Sequence, residues 1–420
     1  VSTPASVSSS GLWRSIWPAE DGGPARRQVP HAGRGLDLAS DDHLEVAFRS
    51  EMACTMTVWR DLDELFLLTH TLSFDDATAR VERIDPISLE PIATSPELPA
   101  GPMWPGGLAA HADGGLHVVF GRWAHRLDAG SLEPTAATEL PVDRPWNSFV
   151  VMPEGALVTK DFGKDTDEPA TLVALDPGDL RELDRLALPE RSIARLSADG
   201  DVVLVVGDEH LWSVRWDDST FTLGEGARYG GGVGQGYAWD VVVADGAGWM
   251  LDDGEGTERY GGCFRGKGVA TAPLHLVRTD LATGAVTMRE VCGQPGGIVA
   301  NPPIVDEHRR VAVAFDSGNG AMVAFGLDDD PSVGPIWRRE QDHAAHMVLF
   351  GDTGELVTHD FDVDAGVDHL VVLDVATGQE RGRVATGSPL QSVLFPAPGL
   401  RRDVYSCSFA GISRVAVADP

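Results

Sequence analysis

The sequence predicts an all-β chain folded as a single β-propeller of eight blades, closed by an N-terminal strand. Three observations carry that expectation. Residues 147–163, NSFVVMPEGALVTKDFG, return without a gap as residues 346–362, HMVLFGDTGELVTHDFD. Gly155, Leu157, Val158, Thr159, Asp161 and Phe162 thereby align with Gly354, Leu356, Val357, Thr358, Asp360 and Phe361. A strand, a turn opened by Asp and a second strand recur at Asp85, Asp128, Asp176, Asp280 and Asp374. Short apolar runs come in pairs about every 45 residues with no helical period between them, as in a ring of four-stranded sheets.

Taken in order, residues 1–39 are rich in Ser, Pro, Gly and Arg and read as an irregular arm, with Trp13 and Trp17 pinning it to the body. Residues 40–420 read as the propeller. The runs HLEVAF, TMTVWR and LFLLTHTLSF are its first strands. Outer hairpins close at the repeated Asp turns, and inner hairpins turn tightly at Ala112–Asp113–Gly114, at 198–201 and at 244–248. Inner hairpins begin near Glu64, Trp104, Trp146, Arg191, Trp239, Gly297, His343 and Leu390, which counts eight blades, with seven as the alternative. The last unit lacks an outer strand, and a strand from Asp42 to Trp59 is expected to complete it. Tyr260–Ala272 reads as an insertion that follows an inner strand and lies over one face of the ring. It is Gly-rich and carries Arg265 and Lys267, but it has neither P-loop spacing nor a following helix.

A chain of 420 residues with 43% hydrophobic content builds a proper core, and no apolar run reaches membrane-helix length. The net charge of −31 disfavours nucleic acid and anionic membrane surfaces as partners and favours solubility, with a small molecule as the expected ligand. Lysine is confined to Lys160, Lys164 and Lys267. The four cysteines, Cys54, Cys263, Cys292 and Cys407, are too few for a disulfide scaffold and lack CxxC spacing. Buried thiols are the expectation, with Cys54–Cys407 and Cys263–Cys292 the pairs open to bridging. VSTPASVSSSGLW has no basic segment followed by an apolar one, so a cytoplasmic location is expected unless a signal peptide has been removed.

The turns Asp280–Gly284 in TDLATGAVTMREV and Asp374–Gly378 in LDVATGQERGRV resemble the D-x-x-TG repeats of the eight-bladed quinoprotein propellers. The resemblance implies the architecture. Quinone dehydrogenases of that family also carry a blade-docking tryptophan a few residues after the TG, where this chain has other residues, such as Gly382.

A propeller gathers the loops entering its inner strands, and those leaving the next strands, at one mouth of the central channel. The entering loops hold Trp104, Trp146, Asn147, Trp239, Asp240, Asn301, His343 and His346; the leaving loops hold Lys160, Asp161, Asp253, Asp316, His359 and Asp360. Asn147 and His346 stand about 200 positions apart, roughly four units, so they are expected to oppose each other across the ring. Lys160–Asp161 should likewise oppose His359–Asp360.

The expected function is an enzyme, a lactonase-like hydrolase or a lyase, acting on a small molecule at this mouth. Lys160, Asp161, His346, His359 and Asp360 are its candidate catalytic groups: histidine for proton transfer, carboxylates as partners, lysine to steady developing negative charge. Trp104, Trp146, Asn147, Trp239, Asp240, Asp253, Asn301 and Asp316 are candidate ligand-binding residues. A divalent metal (Ca, Mg, Zn or Mn) is a candidate cofactor, with His346, His359 and Asp360 as ligands. A quinoprotein-like oxidoreductase and a non-catalytic protein-binding propeller are the alternatives.

Overall fold

The computed structural model describes residues 11–32, 35–257 and 262–418. Eight antiparallel sheets form a ring. Seven blades run in chain order over residues 54–101, 107–139, 146–187, 197–228, 242–290, 304–340 and 348–385. The eighth joins residues 396–417 to Leu44–Ser50, which pairs with Gly411–Val417 and closes the ring. The strand expected over Asp42–Trp59 is therefore two strands. The chain breaks at Ala53, held at φ 56°, and resumes as Cys54–Asp61, the inner strand of the first blade, which thus begins before Glu64.

Burial falls off from the channel outwards. The inner strands Gly107–Ala110 and Trp146–Val151 are buried throughout, whereas the outer strand Glu380–Ala385 alternates exposed and half-buried residues. Outer turns close as the aspartates dictate. Asp374 Oδ1 accepts the backbone N–H groups of Ala376 at 3.1 Å and Thr377 at 3.0 Å. The same pattern recurs at Asp85, Asp128, Asp176 and Asp280. An Asp374→Ala variant is expected to lower unfolding free energy by about 1 kcal/mol in a denaturant titration.

The inner strands leave a row of backbone groups facing the channel, which need partners. The arm supplies them. Trp59 N–H donates to Trp17 O at 2.8 Å, Ala110 to Pro18 O at 2.8 Å, Ala198 to Pro24 O at 2.7 Å and Val243 to Ala25 O at 2.9 Å. Gln28 donates to Pro303 O at 2.9 Å and accepts from Met347 N at 2.8 Å. Arg26 reaches Ser148 Oγ at 2.9 Å, and Arg402 reaches Leu36 O at 2.7 Å. The arm thus touches all eight blades and plugs the channel. Its small residues suit the narrow space: at Gly22, φ 82°, a Cβ would meet the Trp17 ring at 3.0 Å.

The four cysteines are buried and outside any disulfide. Burial pushes Cys54 up to about 12. The insertion, whose Tyr260 and Gly261 lie outside the described residues, follows the second strand of its blade, Ala247–Leu251, rather than the inner one. It reaches the next blade, where Gly266 N–H donates to Gly318 O at 2.9 Å and Arg265 pairs with Asp342, just past the outer strand, at 2.8 Å.

Candidate functional site

At the mouth above the arm lies a cavity of about 800 Å³. Trp104, Asn147, Trp239, Asp240, Asn301 and His346 line it, so Asn147 and His346 do share one cavity from opposite blades. Phe162, Arg195 and Phe395 complete its inner wall.

The aromatic part is interlocked by ring contacts. Trp104 stacks on Phe162 with ring centroids 4.5 Å apart, and Lys164 Nζ stands 5.4 Å from the Trp104 ring. Trp239 Nε1 donates to Asp253 at 2.9 Å. The His346 and Phe395 rings lie 4.0 Å apart, and the Arg195 guanidinium stands 4.7 Å from the Phe395 ring.

Polar groups are placed by the plug. Arg195 donates to Asn147 O at 2.5 Å, Pro105 O at 2.6 Å and Glu20 at 3.0 Å, while its own N–H donates to Asp240 Oδ1 at 2.7 Å. Arg26, buried in the channel, pairs with Glu20, with Asp21 at 2.7 Å, and more distantly with Asp240 at 3.9 Å. Burial opposes its charge, but these carboxylates outweigh burial and hold the guanidinium more firmly protonated than usual.

His346 Nδ1 lies 3.0 Å from Asp21 Oδ1. The two are not aligned as a hydrogen bond in this conformation, so the contact is electrostatic, and a small ring rotation would align it. Burial raises the Asp21 pKa, but the charges of His346 and Arg26 prevail and keep it below the usual range. Two guanidiniums, Arg26 and Arg195, thus face three buried carboxylates, Glu20, Asp21 and Asp240. Asn147 is buried, and its Oδ1 has no protein partner. Asn301 donates to Ala344 O.

The other candidate residues stand elsewhere. Trp146 is fully buried, donates to Val142 O at 3.1 Å and lines no part of the cavity. Lys160, Asp161, His359 and Asp360 lie on second strands, one layer outside the channel, so the expected pair of opposed dyads around one cavity does not form. Asp161 pairs with Arg144 at 2.6 Å, and Asp360 pairs with Arg383 at 2.8 Å and accepts Asp342 N–H at 2.7 Å. His359 Nε2 meets Ser406 Oγ at 2.6 Å, and burial, then neighbouring His343, lowers its pKa to about 3, outside the range for proton transfer near neutrality.

Asp253 also accepts Val299 N–H at 2.7 Å, and burial raises its pKa to about 7. Asp316 accepts from Cys292 Sγ at 3.1 Å and Asn319 Nδ2 at 2.7 Å. Neither aspartate lines the cavity. His346, His359 and Asp360 do not converge on one point: among the described residues, the group of metal-ligating side chains that does so is His111, Asp113 and His117.

Lys160 Nζ donates to Asp161 O at 3.1 Å and Ser192 O at 3.2 Å. Burial lowers its pKa from 10.5 to about 8, despite Asp161. Below pH 8 both folded and unfolded states hold this proton, and the folded state bears the cost of the buried charge. Between about pH 8 and 10.5 the folded state releases the proton first, so stability gains with rising pH. The unfolding free energy of wild type relative to Lys160→Met should therefore climb across that window; a flat difference would contradict the burial argument.

The plug residues Glu20, Asp21 and Arg26, and the wall residues Arg195 and Phe395, are absent from the sequence-derived candidates. The available signal was the set of charges EDGGPARRQ inside an arm otherwise rich in small residues.

Neither a family model nor a curated protein matches this chain. Solved structures do match in shape. The quinohemoprotein alcohol dehydrogenase from Comamonas testosteroni superposes with a TM-score of 0.66 at 10% identity, covering 97% of this chain and 81% of that one. A europium-containing methanol dehydrogenase gives 0.64 at 10%, covering 94% and 90%. BamB from Moraxella catarrhalis gives 0.55 at 14%, covering 87% and 99%. In architecture the chain is similar to the eight-bladed propellers of the quinoproteins, as its D-x-x-TG turns imply.

Proposed function

We propose that the protein is an acid–base enzyme, a hydrolase or lyase, acting at the channel mouth on a small oxygenated molecule with an apolar or aromatic face. The observation carrying this reading is the His346–Asp21 pair at the wall of an aromatic cavity. With Nδ1 turned to Asp21, Nε2 is the nitrogen left for a ligand, the arrangement in which a carboxylate orients a general base. The Arg195 guanidinium stands beside it to steady developing negative charge. Asn147 Oδ1 accepts a hydroxyl or N–H of the ligand, and Trp104, Trp239 and Phe395 cover its apolar face. Lactones and aryl esters of ring size are the first substrates to test, in a proton-release assay on wild-type protein. Turnover of none of them would remove the hydrolase reading.

The dehydrogenases among the architectural neighbours favour a second reading, an oxidoreductase with a quinone in the same mouth. The residues present fit that cofactor poorly, because the blade-docking tryptophans are replaced, as by Gly382. An absorbance spectrum of the purified protein separates the two readings.

A further inference from the structure

The opposite face of the ring carries a group of side chains that the mouth chemistry does not use. It lies at the inner hairpin of the second blade, between Gly107–Ala110 and Gly115–Phe120. We propose that His111, Asp113 and His117 form a binding site for a divalent transition metal, zinc above all.

Three observations support it. The ligand atoms of the three residues lie within 4.8 Å of one another. A tetrahedral zinc with bonds of about 2.0–2.1 Å needs its ligand atoms roughly 3.3 Å apart, a spacing that small side-chain rotations reach. Next, His111 Nε2 lies 2.9 Å from Gly155 O, a carbonyl of the neighbouring blade. Donation there places the ring N–H on Nε2 and leaves the Nδ1 lone pair to face Asp113, the second-shell arrangement of metal-ligating histidines. Nδ1 accepts the Asp113 backbone N–H at 3.1 Å and stands 2.9 Å from Asp113 Oδ1, so a metal there would take over a lone pair that the N–H otherwise holds. Finally, His117 is fully buried with neither ring nitrogen partnered, and its ring centroid is 5.1 Å from that of His111. An orphaned buried imidazole is costly unless something binds it.

Asp113 is the solvent-facing ligand, and water completes the coordination. Arg126, 3.1 Å from Asp113 Oδ2, is the competing cation and favours a site that binds its metal reversibly. The donor set of two imidazoles and one carboxylate suits Zn²⁺ over Ca²⁺ or Mg²⁺. The arm passes directly over the site, where Leu12 bridges to His111 and Ala112 N–H donates to Gly11 O at 2.8 Å. Metal binding would therefore also fasten the start of the plug.

The test uses the full chain, stripped with chelator and titrated with ZnCl₂ by calorimetry and with CoCl₂ by visible absorbance. One equivalent of Zn²⁺ and the bands of tetrahedral Co²⁺ are expected. Asp113→Asn, a change at a solvent-facing side chain, should weaken binding at least about tenfold. His117→Leu should abolish it, and His346→Ala, at the mouth, should leave it intact. No stoichiometric binding, or binding equally tight in Asp113→Asn, would overturn the proposal and leave His111 and Asp113 as an ion pair only. If His117→Leu does not fold, Asp113→Asn still decides.

Discussion

An Arg26→Ala variant is expected to lose about 3–5 kcal/mol of unfolding free energy in a denaturant titration. The magnitude follows from what the guanidinium leaves behind. Glu20, Asp21 and Asp240 are buried around it, and Arg195 alone cannot neutralise all three. Arg26 also donates to Leu196 O at 2.6 Å and Ser148 Oγ, tying the arm to two blades. Arg26→Lys should recover only part of the loss, because a single ammonium cannot fork to these acceptors. Arg215→Ala, which breaks an exposed pair with Asp201, should leave the transition midpoint nearly unchanged. If Arg26→Ala proved equally silent, the arm would not be a structural plug.

The second large effect is at the mouth. His346→Gln is expected to lower kcat about 10²- to 10⁴-fold, the usual contribution of a positioned general base, with the fold retained. Asp21→Asn should lower kcat by less and leave KM nearly unchanged, since Asp21 acts through His346 and does not line the cavity. Lys160→Met and His359→Gln, whose side chains lie outside the cavity, should keep near wild-type turnover. A large loss at His359 with none at His346 would move the chemistry to the second strands.

The propeller was legible in the sequence because its signals are local. An aspartate two or three residues before the N–H groups it caps, and paired apolar runs between tight turns, are read from neighbouring residues alone. The closing strand was read nearly correctly, missing only the break at Ala53, whose left-handed backbone no composition signal marks. The site was legible in part. Entering-loop residues such as Trp104, Asn147 and His346 do converge, because ring geometry brings inner-strand starts together. Second-strand residues do not, because their side chains are held by partners of their own blade: Asp161 and Asp360 are repeated as ion-pair partners of arginines. The plug was not legible, since its contacts span the whole ring. Arg26 reaches a carbonyl 170 residues away, and Gln28 donates to one 275 residues away.

The measurement that bears most directly on the mouth as a catalytic site is proton release from a panel of small lactones and aryl esters, run on wild type and His346→Gln side by side, with the absorbance spectrum of each. Turnover by wild type that falls at least about a hundredfold in His346→Gln, with no quinone band, is the predicted result. Equal rates in the two proteins, or no turnover together with a quinone absorbance, would contradict it.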